Sequence, residues 1–148
     1  MDLGLKNKKA LVSAGHKGIG FFIAKRLLEE GAEVSICCRS QTDLDSSTKK
    51  LTAKGNAHGF ICDFADSDQV VAWVKDAGEA MGGVDICIGN ASASAQQGEG
   101  AAPWRSSFDV DILGTAMFYE TAKPFLVESS GAAIVQIATI TAIEHHDV

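Results

Sequence analysis

Positive charge is in short supply. Thirteen lysines and arginines stand against 19 carboxylates, a net charge of −6 over 148 residues, and the cations are scattered among acids rather than gathered into a stripe. Neither a phosphate backbone nor an anionic lipid surface finds its complement in that distribution, so no nucleic acid and no membrane is expected among the partners. Long apolar runs are missing too. No stretch is long enough to span a bilayer, and the run behind the basic start, ALVSAG, is broken by glycine too early for a secretion signal. A cytoplasmic protein is the default expectation. Cys37, Cys38, Cys62 and Cys87 fall in apolar, strand-like runs without the C-x-x-C spacing of a zinc or redox site, which leaves them as buried free thiols. His145, His146 and Asp147 make no metal site either: adjacent histidines point apart, no further ligand lies nearby, and a loop at a substrate mouth is expected there.

What the chain has is a regular alternation. Hydrophobic residues make up 46% of it, enough to build the core of one globular domain. Short continuous apolar runs predict strands over Lys9–Ala14, Glu33–Cys38, His58–Cys62, Val84–Gly89 and Ala132–Ala138. Between them, helical periodicity predicts a helix carrying Ile19, Ile23, Ala24, Leu27 and Leu28 and stopping at Gly31. A polar helix capped by Ser40 with Asp43 ends near Gly55, and another helix runs from Asp68 to Met81. After a loop rich in Ala, Ser, Gln and Gly, a long helix is expected from near Arg105 to about Val127, with Trp104 and Phe108 packing its start. Strands apolar on both faces alternating with helices specify an α/β fold, a doubly wound parallel sheet of the Rossmann type. Ligands of such sheets bind beyond the carboxyl ends of the strands, so the residues just after each strand are the candidates.

The first of these segments is SAGHKGIG, Ser13 to Gly20. Gly15, Gly18 and Gly20 permit a tight turn and a close approach of backbone N–H groups to a pyrophosphate, at the positive end of the following helix. His16 is expected as an exposed residue of that loop. The second is CCRS. An acid about 20 residues beyond the glycines would bind the ribose 2′-hydroxyl of NAD and repel a 2′-phosphate. Here Arg39 and Ser40 follow Cys38 instead, and Lys17 adds a second cation from the glycine loop, which suits NADP better than NAD.

In this order the motifs resemble the short-chain dehydrogenase/reductase family. Its T-G-x-x-x-G-x-G pattern falls on Ser13, Ala14, Gly18, Ile19 and Gly20; the first glycine is Ala14 here, with Gly15 next to it as the expected compensation. CDF resembles the Asp-containing turn after the third strand, which implies Asp63, beside Phe64, as the adenine contact. GNAS is similar to N-N-A-G, placing Asn90, Ala91 and Ser92 along the cofactor. DVDILGT resembles the V-N-x-x-G helix start, with Asp111 where the family has an active-site asparagine, and QIATITA resembles the segment of the catalytic serine, with Thr139 in its place. The resemblance implies hydride transfer between nicotinamide and a small carbonyl or alcohol substrate by a homo-oligomer. D-I-x-x-G-T and the threonine also resemble enoyl-thioester-reducing branches, and a non-catalytic nucleotide-binding or subunit-interaction module is the reading from a different class.

YETAK, Tyr119 to Lys123, holds the chain's only tyrosine one helical turn from a lysine. That spacing could lower the phenol's pKa. In the family, however, Tyr-x-x-x-Lys follows the serine segment, whereas YETAK precedes Thr139. Tyr119 and Lys123 are therefore expected on a helix surface or subunit interface. Since no tyrosine or lysine follows Thr139, the chain is expected to correspond to roughly the first three-fifths of a family member, to lack dehydrogenase activity alone, and to self-associate or be marginally stable through an uncovered fifth strand.

Overall fold

A computed structural model describes residues 1–93 and 99–138; Thr139, His145, His146 and Asp147 lie outside the described residues. The elements follow in the order β1 (Lys9–Val12), α1 (Gly18–Glu29), β2 (Glu33–Cys38), α2 (Gln41–Thr52), β3 (Ala57–Ile61), α3 (Ser67–Met81) and β4 (Ile86–Gly89). After β4 come α4 (Ala101–Ser107), a π-helical segment (Phe108–Gly114), α5 (Thr115–Glu128) and β5 (Ala133–Gln136). All pairings are parallel, in the order β3-β2-β1-β4-β5, with Lys9 opposite Glu33, Ala10 opposite Ile86, Val34 opposite Ala57 and Ile86 opposite Ala133. This is the Rossmann-type doubly wound sheet that the alternation predicts.

The two-residue period of the strands divides the core between two faces. Leu11, Cys37 and Cys87 point to one, where Trp73 and Val74 of α3 and Phe118 and Ala122 of α5 cover them. Ala10, Val12, Val34, Ile36, Ile86 and Ile88 point to the other, with Ala24 and Leu28 of α1 and Leu44 and Leu51 of α2. Trp73 and Phe118 stack at 5.3 Å with an interplanar angle of 13°, and the indole N–H of Trp73 donates to the buried Ser35 hydroxyl at 3.1 Å. That bond removes the cost of burying both polar groups.

Local signals set the helix ends. Asp66 caps α3 by accepting from the backbone N–H groups of Asp68 and Gln69, and Gly82 ends it at φ +68°. The Ser40 hydroxyl accepts from the N–H of Asp43 at the start of α2. At the start of α1, by contrast, Lys17 gives no side-chain cap and the first turn holds no acid, so its leading N–H groups are left for something else.

Several expectations need correction: β4 begins at Ile86 rather than Val84, and β5 covers Ala133–Gln136 rather than Ala132–Ala138. The long helix begins at Ala101 rather than near Arg105, and its middle is a π segment. Trp104 and Phe108 do not pack its start: they are 80% and 57% exposed. β1 ends at Val12, because Ser13 and Ala14 already belong to the loop.

Candidate nucleotide site

The carboxyl ends of β1, β2, β3 and β4 surround a cleft of about 530 Å³, walled by the glycine loop, by the turn after β2, by Asp63 and Phe64 after β3, and by Ala91 and Ser92 after β4. A depression of similar volume on α1, lined by Ile19, Phe22, Ile23 and Arg26, is shallow and offers one charged group. Only the first brings polar groups from several loops together, as a ligand site does.

Each glycine of the first loop has its own reason. A Cβ on Gly15 would stand 2.5 Å from Ile36 Cγ2 and 3.1 Å from the Val12 carbonyl oxygen. One on Gly20 would stand 2.5 Å from Asn90 Nδ2, so both positions need glycine for close packing. Gly18 has open space but φ +53°. The expected compensation of Ala14 by Gly15 does not occur: Ala14 itself takes φ +50°, a left-handed conformation that costs an L-residue with a Cβ about 1–2 kcal/mol.

Ser13 and Asn90 work as a staple between the ends of β1 and β4. The Ser13 hydroxyl accepts from the N–H groups of Asn90 at 2.8 Å and Ala91 at 2.9 Å and donates to the Ile88 carbonyl at 3.4 Å. Asn90 Nδ2 donates to the carbonyls of Ser13 and Ala14. Ser13 is fully buried, so it and Asn90 shape the loop from behind, while Ala91 and Ser92 face the cleft.

Lys17 and Arg39, on separate loops, both line the cleft, and so do His16, Ser40 and Asp43. Asp63 accepts the Ala65 N–H through Oδ1 and its own N–H donates to Gln69, which fixes the turn after β3. Phe64 is largely buried against Trp73 and Phe118. His16 is half-buried rather than exposed. Its Nδ1 is buried with no hydrogen-bond partner, a condition that costs roughly 1–3 kcal/mol. Ile19 faces away from the cleft, 63% exposed. The thiols are buried as expected. Burial, with the neighbouring Cys62 thiol second, pushes Cys37 upward, and burial pushes Cys87 up to about 12; both remain protonated and unreactive.

Asp111, in the π segment, accepts the Ala93 N–H at 2.9 Å and so pins the chain leaving β4. The same segment passes so close to the carbonyl oxygen of Phe64 that no Cβ fits on Gly114. Tyr119 lies outside the cleft, half-buried, with its hydroxyl donating to Gln136 Oε1 at 2.6 Å. Burial, followed by the neighbouring Cys87, raises its pKa, and a backbone contact from Gly89 acts the other way. The ammonium of Lys123 does not lower it as the spacing suggested.

Comparison with known proteins agrees with this architecture. The family profile described as short chain dehydrogenase matches residues 8–147. The chain belongs to the short-chain dehydrogenase family. Isoepoxydon dehydrogenase of Penicillium expansum is 35% identical over 139 residues, covering 91% of this chain and 53% of that protein. Dehydrogenase/reductase SDR family member 4 of Bos taurus is 34% identical over 143 residues, covering 93% and 51%. The chain thus spans about half the length of the curated relatives it matches. Among solved structures, a short-chain dehydrogenase from Burkholderia cenocepacia J2315 in complex with NADP superposes with a TM-score of 0.85 at 28% identity, covering 97% of this chain and 60% of that one. L-sorbose reductase from Gluconobacter frateurii, complexed with NADPH and L-sorbose, shares the fold at a TM-score of 0.90 and 24% identity, covering 97% and 56%.

Within this short-chain dehydrogenase chain, sequence reasoning passed over Asp43 and the sulfur wall of Cys37, Cys38 and Cys62, all of which line the cleft. Asp43 was legible only as a helix-capping position; its place one turn beyond Arg39, at the carboxyl end of β2, was the available signal.

Proposed function

We propose that residues 1–148 form the NADP(H)-binding domain of an oxidoreductase that transfers hydride between nicotinamide and a small carbonyl or alcohol substrate. One observation carries this reading: two cations from different loops, Lys17 of the glycine loop at an uncapped helix start and Arg39 of the turn after β2, line one cleft. The uncapped first turn of α1 and the unpartnered Nδ1 of His16 both fit a polyanionic ligand. When bound, the dinucleotide supplies the hydride chemistry. The chain's own part is to bind and orient. The glycine-loop amides take the pyrophosphate, Lys17 and Arg39 the 2′-phosphate, and Asp63 and Phe64 the adenine side. Asp111 holds the loop after β4 in position through Ala93. The NADP complex of the Burkholderia cenocepacia relative supports this assignment by analogy.

Titration of the chain with NADPH and NADH tests the reading. NADPH binds more tightly, and Arg39→Asp with Lys17→Ala reverses the order, because a carboxylate then faces the 2′-phosphate. Unchanged relative affinities would refute the NADP assignment.

For the whole protein, the reading assigns Thr139 as a hydroxyl donor to the reacting oxygen. Thr139→Val keeps the shape and should lower kcat by a factor of roughly 100; near-normal turnover would point instead to C=C reduction or another donor. The Tyr-x-x-x-Lys spacing within these 148 residues, Tyr119 to Lys123, lies outside the cleft, and none follows Thr139; on this reading the 148 residues bind nucleotide without turning over, and Tyr119→Phe leaves nucleotide binding unchanged. Homo-oligomerisation through the α5 face completes the reading, with sedimentation as its test.

A further inference from the structure

His16 forms part of the cleft wall, and its Nδ1 is shut off from solvent without a hydrogen-bond partner. Among the described residues, Thr48 Oγ1 is the other buried side-chain atom in this condition, and Thr48 does not line the cleft. The charged groups facing the imidazole come from three elements: Lys17 from its own loop, Arg39 from the turn after β2, and Asp43 from the first turn of α2. Burial first, then Lys17, disfavours the imidazolium; Asp43 favours it and Arg39 opposes it, so His16 titrates below the ordinary histidine value. A dianion seated between Lys17 and Arg39 neutralises the two cations and faces the ring with negative charge. The balance then tips towards the protonated ring, whose N–H groups can donate to the anion.

We propose that His16 is a third, proton-dependent contact to the 2′-phosphate of an adenine nucleotide in this cleft, so that binding such a nucleotide takes up a proton that binding its 2′-hydroxyl counterpart does not. The inference rests on the nucleotide reading above and adds to it a dependence on pH. The neutral imidazole takes its proton from solvent as the phosphate arrives and returns it when the nucleotide leaves; no bond other than N–H is made or broken. The preference for a 2′-phosphate therefore grows as pH falls through the histidine range.

The test is calorimetric titration of the 148-residue chain, as wild type, His16→Gln and His16→Asn, with adenosine 2′,5′-bisphosphate and with adenosine 5′-monophosphate. The second ionisation of a phosphate monoester, near pH 6, strengthens binding as pH rises, but it is common to all three proteins. The ratio of wild-type to His16→Gln affinity isolates the histidine. For the bisphosphate that ratio should fall roughly three- to tenfold between pH 6 and pH 7.5, while for the monophosphate it stays flat. In buffers of unlike ionisation enthalpy, the wild type should show bisphosphate-linked proton uptake that both variants lack, and the wild-type measurement decides alone if a variant does not fold. A flat ratio for a bisphosphate that still binds would overturn the role of His16 and leave the nucleotide site standing. Equal slopes for both ligands would move the contact to the shared 5′-phosphate and sink the 2′ assignment. If neither nucleotide binds, the nucleotide reading fails and takes this inference with it.

Discussion

Ile36 and Ile134 are the same residue type on parallel strands of one sheet, yet Ile36 is wholly buried and Ile134 is 52% exposed. β2 lies between two strands, with α1 and α2 on one face and α3 on the other. β5 pairs with β4 on one edge, and all four of its residues are exposed. Burial here belongs to the position and not to the side chain. The well-covered strands β1 and β2 also carry, at their carboxyl ends, the glycine loop with Lys17 and the turn with Arg39 that line the cleft.

Matched truncations sharpen this contrast most. Ile36→Ala should cost about 2–5 kcal/mol, whereas Ile134→Ala should change stability by less than about 1 kcal/mol. Urea titration reads both, and equal losses would erase the distinction between the halves. Gly15→Ala comes next, since its methyl would enter the side chain of Ile36. A loss of about 1–3 kcal/mol is expected, together with weaker nucleotide binding, and in a double variant with Ile36→Ala, which removes the Cγ2 that the methyl would strike, the two losses should be less than additive.

Asp85 probes the opposite end of the strands, where it links β1 to the segment before β5. Its carboxylate accepts the Lys9 N–H at 2.9 Å and the Ser129 hydroxyl at 2.5 Å and lies 3.7 Å from Lys8 Nζ. Burial pushes the carboxyl up, but the Ser129 and Lys9 hydrogen bonds and the charges of Lys8 and Lys9 outweigh it and hold the pKa below the usual value of 3.8. A carboxyl lowered on folding stabilises above its unfolded pKa and loses that contribution as pH falls through the folded one. Asp85→Asn should therefore cost about 1 kcal/mol at pH 7. Its stability should also decline less than the wild type's between pH 5 and pH 2, as acid titration with circular dichroism would show. The smallest effect is a gain: Ala14→Gly should stabilise by about 0.5–1 kcal/mol, because glycine accepts φ +50° without a Cβ penalty. A loss on thermal melting would mean that the alanine methyl contributes more by packing than the backbone loses.

The fold was legible because each strand is a short apolar run between punctuating residues. β2 is Glu33–Cys38 to the residue, bounded by Gly31 and the capping Ser40. β1 read two residues too long, since the apolarity of Ala14 conceals its positive φ. The π segment was invisible, because one widened turn at Phe108–Gly114 barely disturbs helical periodicity. In the site, Lys17, Arg39 and Asp63 could be placed from their distance past a strand end. The backing role of Ser13 and Asn90 could not, because it depends on two strands far apart in sequence meeting side by side. The burial of His16 Nδ1 likewise has no signature in the local sequence.

That meeting of β1 with β4 also sets a schedule. Lys9, at the start of the central strand, bonds to Asp85 across 76 residues, which takes roughly 4–15 s to synthesise at cellular rates of about 5–20 residues per second. Throughout that interval a nascent chain can pair β1 with β2 and β2 with β3, but one edge of β1 stays open and available to other strands. The Ser13 hydroxyl has no Asn90 or Ala91 amide to accept from until those residues have left the ribosome. The glycine loop is made well before the fourth strand, yet it acquires its shape only when that strand arrives.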